Sequence, residues 1–354
     1  MLQEIDALDQ FRITVQHLEV CRSLILLGGE AHCRSALILL DHVSEVILYR
    51  IMEEEIEKDE FTRKVVPPRY SPKQRRQLQR LFHAKLDTVA RVYHLPALVT
   101  TTLKILHDYR NAAQHQDKHN PAVLPILARI SFVATADFFA RTAAGFRNRG
   151  IGGFSRQIEW LQPFGLDTGH IWFESVAKEI ARQLKKGIRP KFAAVKQSLA
   201  ADIRTRVVAV RNVLDEVFEG DVAAADHMLK WYEFRRVRWD LESKLSQKVR
   251  ALNYKIAAGR GDEVTREEYR AADAEFQSAY DKEFNEFVPR DSYRNLDRVQ
   301  SRIAEFARQK NFRSALSLYK SLDQELTSLE SSTTLGYHDM ESYAELMSDI
   351  ERGK

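Results

Sequence analysis

The chain has few of the residues that build disulfide frameworks, sharp turns or membrane spans. It holds two cysteines, nine prolines and 14 glycines in 354 residues. Cys21 and Cys33 are too few for a disulfide framework, so we expect buried thiols in a reducing cytosol. No apolar run approaches the roughly 20 residues that cross a bilayer, and Met1 to Asp6 lacks the basic region of a secretory signal. We therefore expect a cytoplasmic protein with no membrane partner.

The signatures of several enzyme classes are also missing from the sequence. No Cys and His pair has zinc-ligand spacing, no glycine-rich phosphate loop follows a strand pattern, and no Gly-x-Ser-x-Gly is present. The sequence therefore predicts neither a metal site nor a cofactor. The formal net charge of +4 is small for a chain of 354 residues. A nucleic-acid site would consequently need local clusters of Lys and Arg.

Long periodic stretches with little Gly or Pro predict an all-α protein. Six of the 14 glycines fall between Gly145 and Gly169, which predicts a linker. We therefore expect an N-terminal helical bundle in residues 1–145, a glycine-rich linker at 146–170 and a C-terminal helical domain at 171–354.

An apolar seam in the second half predicts an elongated, coiled-coil-like region. Its members recur at three- and four-residue spacing, as in a coiled coil or a long helical hairpin. They are Phe234, Val237, Leu241, Leu245, Val249, Leu252 and Ile256.

One short segment combines a permanent cation, an amide and a titratable imidazole: His107-Asp-Tyr-Arg110-Asn111-Ala-Ala-Gln-His115. Arg holds a phosphate with a planar fork of donors, and His can give or take a proton near neutral pH. The chain has four Arg-Asn pairs, and only Arg110 is followed by His five positions later. On an ideal helix, however, Arg110 points about 140° away from His115. A bend or a two-fold partner would therefore be needed to complete one site.

This segment resembles the signature of the HEPN superfamily, all-helical nucleotide-binding domains in which an Arg precedes a His by a gap of four to six residues. Asn often follows the Arg, as Asn111 does here. Upstream, residues 35–49 resemble the early HEPN helix that carries an inward acidic residue, and Glu45 is the matching position. The resemblance covers roughly residues 10–145. It implies a helical bundle whose candidate catalytic residues are Arg110, Asn111, His115 and Glu45.

The resemblance also implies a function. Many HEPN domains are metal-independent ribonucleases of toxin–antitoxin or antiphage systems, with paired motifs at a homodimer interface. Cleavage of RNA without a metal needs a base, an acid and a cation for the crowded phosphorane. Two His115 residues and Arg110 would fill these roles and leave 2′,3′-cyclic phosphate and 5′-OH ends. We expect RNA as substrate, a homodimer, and an antitoxin or defence-system protein as a further partner.

Other interpretations of the same residues remain open. Arg110 and His115 also suit the solvated last turn of a helix, and Glu45 suits either a surface or a buried position beside Arg110. We expect His107 to face solvent. The alternative function is a catalytically silent HEPN scaffold that binds a protein partner through its C-terminal helices.

Two basic clusters are candidate RNA-binding surfaces. One lies between Arg182 and Lys191, and the other interleaves cations with aromatic residues from Lys230 to Trp239. The opposing interpretation of both is a solvated helix face above an aromatic core. The predicted RNA-binding residues are Arg182, Lys185, Lys186, Arg235, Arg236 and Arg238.

Overall fold

A computed structural model describes most of the chain. The described ranges are 7–63, 66–116, 123–143, 159–166, 173–237, 251–252, 254–256 and 263–351. Within them every regular element is a helix and no strand is present, which confirms the prediction of an all-α protein. No helix in these ranges has both the length and the apolar character needed to cross a bilayer.

The chain divides into two compact units. The first comprises Met1–Asp202 and Phe306–Lys320, and the second comprises Ile203–Glu305 and Ser321–Lys354. Most of the predicted linker at 146–170 lies outside the described residues. The division between units instead falls after Asp202, because helices on both sides of the predicted linker pack together in the first unit.

The first unit is a bundle of short and long helices. They are α1 (Ala7–Leu27), α2 (Glu30–Thr62), α3 (Pro72–Arg80), α4 (Phe82–Val92), α5 (Ala97–Gln116), α6 (Leu124–Thr142), a 3-10 helix (Glu159–Phe164) and α7 (Phe173–Leu184). Helices α2 and α6 form its centre. Helix α2 packs against α1, α4, α5 and α6, and α6 packs against α1, α5 and α7.

Regular apolar spacing explains this packing. Leu40, Ile47 and Leu48 bury one face of α2, and Phe138 and Phe139 are buried on α6. Each such side chain contributes about 1.5–3 kcal/mol when it leaves water. The bundle is therefore held mainly by the two central helices.

Two glycines make the turn that folds α1 back beside α2. Gly28 and Gly29 have φ of +71° and +78°, which side chains with a Cβ rarely adopt. The backbone N–H of Gly28 donates to the carbonyl of Leu24 at 3.2 Å and closes the last turn of α1. This turn lets the apolar faces of the two helices meet.

Asp59 fixes the segment that leaves α2. Its carboxylate accepts hydrogen bonds from the backbone N–H of Arg69 at 2.6 Å and of Tyr70 at 3.3 Å, and from the Arg75 guanidinium at 2.8 Å. Burial raises the pKa of Asp59, but these donors outweigh burial and hold the pKa below its usual value.

Helices α3 and α4 are separate, although the sequence pattern from Leu78 to Val89 predicts a single helix. Leu81 interrupts them with extended backbone, φ −98° and ψ 118°. At the start of α3, Ser71 and Gln74 exchange hydrogen bonds in a capping box. Apolar residues at three- and four-residue spacing over residues 33–56 predict one further helix, and Pro96 predicts the start of another; α2 and α5 confirm both.

Among the described residues, the second unit contains three complete helices and parts of others. Helices α9 (Val222–Val237), α10 (Glu263–Glu286) and α11 (Tyr293–Ile303) lie within it. Three others cross a unit boundary in sequence: α8 (Phe192–Phe218), the one-turn helix α12 (Glu305–Arg308) and α13 (Phe312–Glu351). Most of the predicted apolar seam, residues 238–250, lies outside the described residues.

Two clusters hold the second unit together. Phe234 is buried and packs edge-on against Tyr280, Phe284 and Phe287, with ring centroids 5.0–5.5 Å apart. Arg206 donates to Glu330 through two nitrogens, each at 2.8 Å. Thus Phe234, a member of the predicted seam, contributes to a globular core.

Candidate functional site

The candidate site lies where α2 packs against α5 in the first unit. Glu45 and Asp41 are four residues apart on α2 and therefore share a face. On α5, Arg110 and Asn111 lie close to this face together with His107. The structure thus brings together three of the four predicted catalytic residues, Glu45, Arg110 and Asn111.

Arg110 is held by two carboxylates of α2. Its Nε donates to Asp41 Oδ2 at 2.7 Å, and its Nη2 donates to Glu45 Oε1 at 3.2 Å. Nη2 also pairs with Asp41. The Asp41 side chain is 4% exposed, that of Arg110 is 19% exposed and that of Glu45 is 40% exposed. Of the two positions left open for Glu45, the one beside Arg110 is present, but Asp41 is the inner partner of Arg110 and Glu45 is the outer, partly exposed one.

His107 belongs to the same cluster. Its Nδ1 lies 3.1 and 3.2 Å from the two oxygens of Asp41, and its Nε2 lies 3.2 Å from Nδ2 of Asn111. The ring stacks on Phe82 with centroids 3.9 Å apart and an interplanar angle of 4°. With only 14% of its side chain exposed, His107 does not face solvent, so that expectation is wrong.

This geometry assigns His107 a positioning role. In the tautomer with hydrogen on Nδ1, the ring donates to Asp41 and accepts from the Asn111 amide. Because both ring nitrogens have protein partners, His107 orients Asn111 within the bundle. Asn111 and Arg110 are therefore both anchored, directly or through one ring, to the buried Asp41.

Asp108 anchors the same stretch of α5 on another side. Its two oxygens lie 2.9 Å from His83 Nε2 and 2.6 Å from Lys320 Nζ. Lys320 belongs to the first unit, although it follows the second in sequence. The backbone that carries Arg110 is therefore tied to α4 and to the start of α13 as well as to α2.

His115, the fourth predicted catalytic residue, lies on the last turn of α5, one residue before Gln116 ends the helix. Its side chain lies outside the described residues, as does His119. The predicted divergence of Arg110 and His115 on one helix therefore stays a prediction.

A cation-binding set is also present among these residues. Asp41, Glu45 and His107 each offer a ligand atom, and the three atoms lie within 4.8 Å of one another. A divalent cation there would compete with the Arg110 guanidinium for both carboxylates. The arrangement therefore favours the ion pairs with Arg110 over a metal.

The predicted RNA-binding residues fall into both units. Arg182, Lys185 and Lys186 line one cleft of the first unit. Arg236 is exposed on α9 of the second unit. The side chain of Arg235 and the whole of Arg238 lie outside the described residues.

Comparisons with known proteins add no relationship to this geometry. No protein-family model, no curated protein and no solved structure matches the chain. The resemblance to HEPN domains consequently rests on the motif, and the function must be inferred from the site itself.

Sequence reasoning missed Asp41 and assigned His107 to solvent. Both carried a usable signal. Asp41 lies on the apolar stripe of α2 and precedes Glu45 by one helical turn, and His107 precedes Asn111 by one helical turn. A carboxylate on a buried stripe requires a cationic or hydrogen-bonded partner, and α5 carries both.

Proposed function

We propose that the first unit is a metal-independent endoribonuclease of the HEPN type, which leaves 2′,3′-cyclic phosphate and 5′-OH ends. The observation that carries the proposal is the convergence of Arg110 and Asn111 with Glu45, around the buried Asp41. Arg110 supplies the cation that stabilises the phosphorane, and His115 supplies the proton transfers.

The ion pairs of Arg110 suit this role. Asp41 holds the guanidinium in place from the buried side, whereas Glu45 contacts it from the exposed side. A phosphodiester that approaches from solvent displaces Glu45 and takes over its hydrogen bond, while Asp41 keeps the orientation fixed. Asn111, oriented by His107, adds an amide donor beside the phosphate.

A homodimer completes the proposed site. Residues five apart on an ideal helix point about 140° away from each other, so a second copy of α5 across a two-fold axis supplies the missing acid or base. The proposed biological role is that of a toxin or antiphage effector, restrained by an antitoxin or another defence-system protein. In the second unit, the exposed Arg236 is a candidate RNA contact.

The test is cleavage of labelled single-stranded RNA and tRNA by the full-length protein in EDTA. We expect cleavage without added metal and fragments that end in a 2′,3′-cyclic phosphate. His115→Ala should abolish it. Loss of cleavage in chelator, with recovery on adding a divalent ion, contradicts the mechanism.

A test of Arg110 needs a second substitution at Asp41, because removal of Arg110 alone leaves the buried Asp41 carboxylate without its cationic partner. In the double variant Asp41→Asn with Arg110→Gln, the cation is lost without leaving a buried charge. We expect this variant to be folded and inactive. Asp41→Asn alone keeps the cation and an amide oxygen that can accept its hydrogen bond, so it should be more active than the double variant and less active than wild type. Lys104→Ala, which removes another cation of α5, is the matched control and should keep full activity. Full activity in the double variant would remove Arg110 from the site.

The second candidate is a silent scaffold that binds a protein through its C-terminal helices. It is favoured by the internal bonding of His107 and Arg110, which resembles a structural cluster between two helices. A folded protein that leaves single-stranded RNA, tRNA and ribosomal RNA fragments intact, with and without divalent ions, supports this candidate.

A further inference from the structure

A cleft of about 360 Å³ opens in the first unit beside α5 and α6. Its walls come from these two helices, from the segment that follows α7 and from Phe312 at the start of α13. This volume lies at the lower end of the roughly 300–1,000 Å³ of small-molecule sites. None of the predicted catalytic residues lines it.

The floor and walls of the cleft are apolar. Leu98 and Val99 contribute from α5, Ile130 and Ala134 contribute from α6, and Phe312 closes one side. The ring of Phe312 packs edge-on against Phe192 at 4.9 Å. Such a lining holds a hydrocarbon or an aromatic body.

The rim of the cleft carries a net positive charge. Two of its four cations have carboxylate partners, since Lys185 pairs with Asp137 and Arg182 pairs with Glu179. Lys186 and Arg189, the other two, have no ion-pair partner within the described part of the chain. Glu179 also interacts electrostatically with Lys186. The four cations still outnumber the two carboxylates, Asp137 and Glu179, so the mouth of the apolar cleft keeps a net positive charge.

A third feature lies in the wall. Thr102 is 1% exposed, and its hydroxyl has no hydrogen-bond partner among the described residues. A buried hydroxyl without a partner is costly, and such groups often mark a place where a ligand or water completes the bonding.

We propose that this cleft binds a small organic anion with an apolar body, in which a carboxylate or phosphate is attached to a short alkyl or aromatic group. Lys186 and Arg189 hold the anionic group, and the wall of α5 and α6 takes the apolar body. The same stretch carries Lys185 and Lys186, which the sequence pattern assigns to RNA. A phosphodiester backbone is charged and polar and would not fill the apolar floor, so the lining favours a small ligand with an apolar body.

This site is independent of the proposed ribonuclease. It lies toward the opposite end of α5, because Leu98 is 12 residues before Arg110. At 1.5 Å per residue this separates Leu98 from Arg110 by about 18 Å along the helix, and Thr102, the lining residue of α5 nearest to the motif, lies about 12 Å from Arg110. Failure of RNA cleavage would therefore not contradict the cleft proposal. Failure of ligand binding would likewise not contradict the ribonuclease proposal.

The test is calorimetric titration of the full-length protein with octyl phosphate, octanoate, octanol and inorganic phosphate. We expect saturable 1:1 binding of octyl phosphate and octanoate. Octanol and inorganic phosphate should bind about tenfold more weakly or worse, because each lacks one half of the recognised chemistry. Equal binding of inorganic phosphate and octyl phosphate overturns the proposal.

Two variants locate the binding. Lys186→Ala with Arg189→Ala should weaken octyl phosphate binding about tenfold or more. Both residues are exposed, so the fold should not change. The matched control is Lys178→Ala with Arg91→Ala, which removes two exposed cations that do not line the cleft and should leave affinity unchanged. Equal weakening in both pairs would show a nonspecific charge effect and overturn the assignment.

A further arm separates the small ligand from other anions. A ten-nucleotide RNA and vesicles of phosphatidic acid and phosphatidylcholine are added as competitors of octanoate. We expect neither competitor to displace octanoate when the phosphate concentration of the competitor equals the concentration of octanoate. Displacement by RNA or by vesicles would reassign the cleft to a nucleic-acid backbone or to a membrane surface.

Discussion

Replacing Arg110 by Ala should destabilise the first unit, because Asp41 would be left buried without its cation. Removal of one member of a buried ion pair costs about 3–5 kcal/mol. Arg110 retains some exposure and Glu45 is half-exposed, so water reaches one side of the cluster. We therefore expect a loss of about 2–3 kcal/mol in the free energy of unfolding, below the fully buried value.

A double-mutant cycle measures the interaction itself. Asp41→Asn keeps the shape of the side chain and removes the charge that Arg110 balances. If the pair is coupled, the double variant is destabilised less than the sum of the two single variants by about 1 kcal/mol or more. Urea unfolding gives the energies, and hydrogen exchange of peptides from α2 and α5 locates the loss in the first unit.

The matched control is Lys104→Ala on the same helix. Lys104 pairs with Asp87 at 2.6 Å, but Asp87 is largely exposed. Surface pairs of this kind contribute about 0–1 kcal/mol, so the control should lose little. If Arg110→Ala is as well tolerated as Lys104→Ala, or if the cycle is additive, the cluster does not hold α2 and α5 together.

Three further predictions test other parts of the fold. The pKa of Asp59 is lowered in the folded state, so its contribution to stability is present above the unfolded pKa of about 3.9 and is lost as pH falls through the folded pKa. Asp59→Asn should consequently lower the melting temperature at pH 7. At pH 3 the difference in melting temperature between the variant and wild type should be smaller. Burial raises the pKa of the Cys21 thiol to about 12 and also raises the pKa of Cys33. Iodoacetamide should therefore label neither thiol until urea unfolds the first unit. Rapid labelling in buffer would contradict the burial of these thiols. A Cβ at Gly336 would collide with the Met228 sulfur. Overpacking costs about 1–3 kcal/mol, and the higher helix propensity of Ala offsets about 1 kcal/mol of it, so Gly336→Ala should lower the stability of the second unit by about 0–2 kcal/mol in thermal unfolding. A stabilised second unit would show that the buried Met228 side chain moves away freely.

The sequence predicted the helical class and the helices that carry the site. Apolar residues at three- and four-residue spacing predicted α2, and Pro96 predicted the start of α5, because these signals are local. The break at Leu81 was not predicted, since neither Gly nor Pro marks it.

Pairing across the bundle was harder to predict. Arg110 and Asp41 are 69 residues apart, so their contact depends on how α2 and α5 pack. A pattern within one helix shows that Asp41 needs a partner but does not select it. The catalytic roles of Arg110, Asn111, Glu45 and His115 stay predictions, because geometry alone does not measure cleavage.

The interrupted course of the first unit affects when it can be completed during synthesis. Its last segment ends at Lys320, whereas its first ends at Asp202, so 118 residues (320 − 202) must be translated in between. At about 5–20 residues per second the ribosome needs roughly 6–24 s for that length. Lys320, which pairs with Asp108 beside the motif, emerges only then. A nascent chain therefore carries the Arg110 segment for many seconds before its last anchor is available.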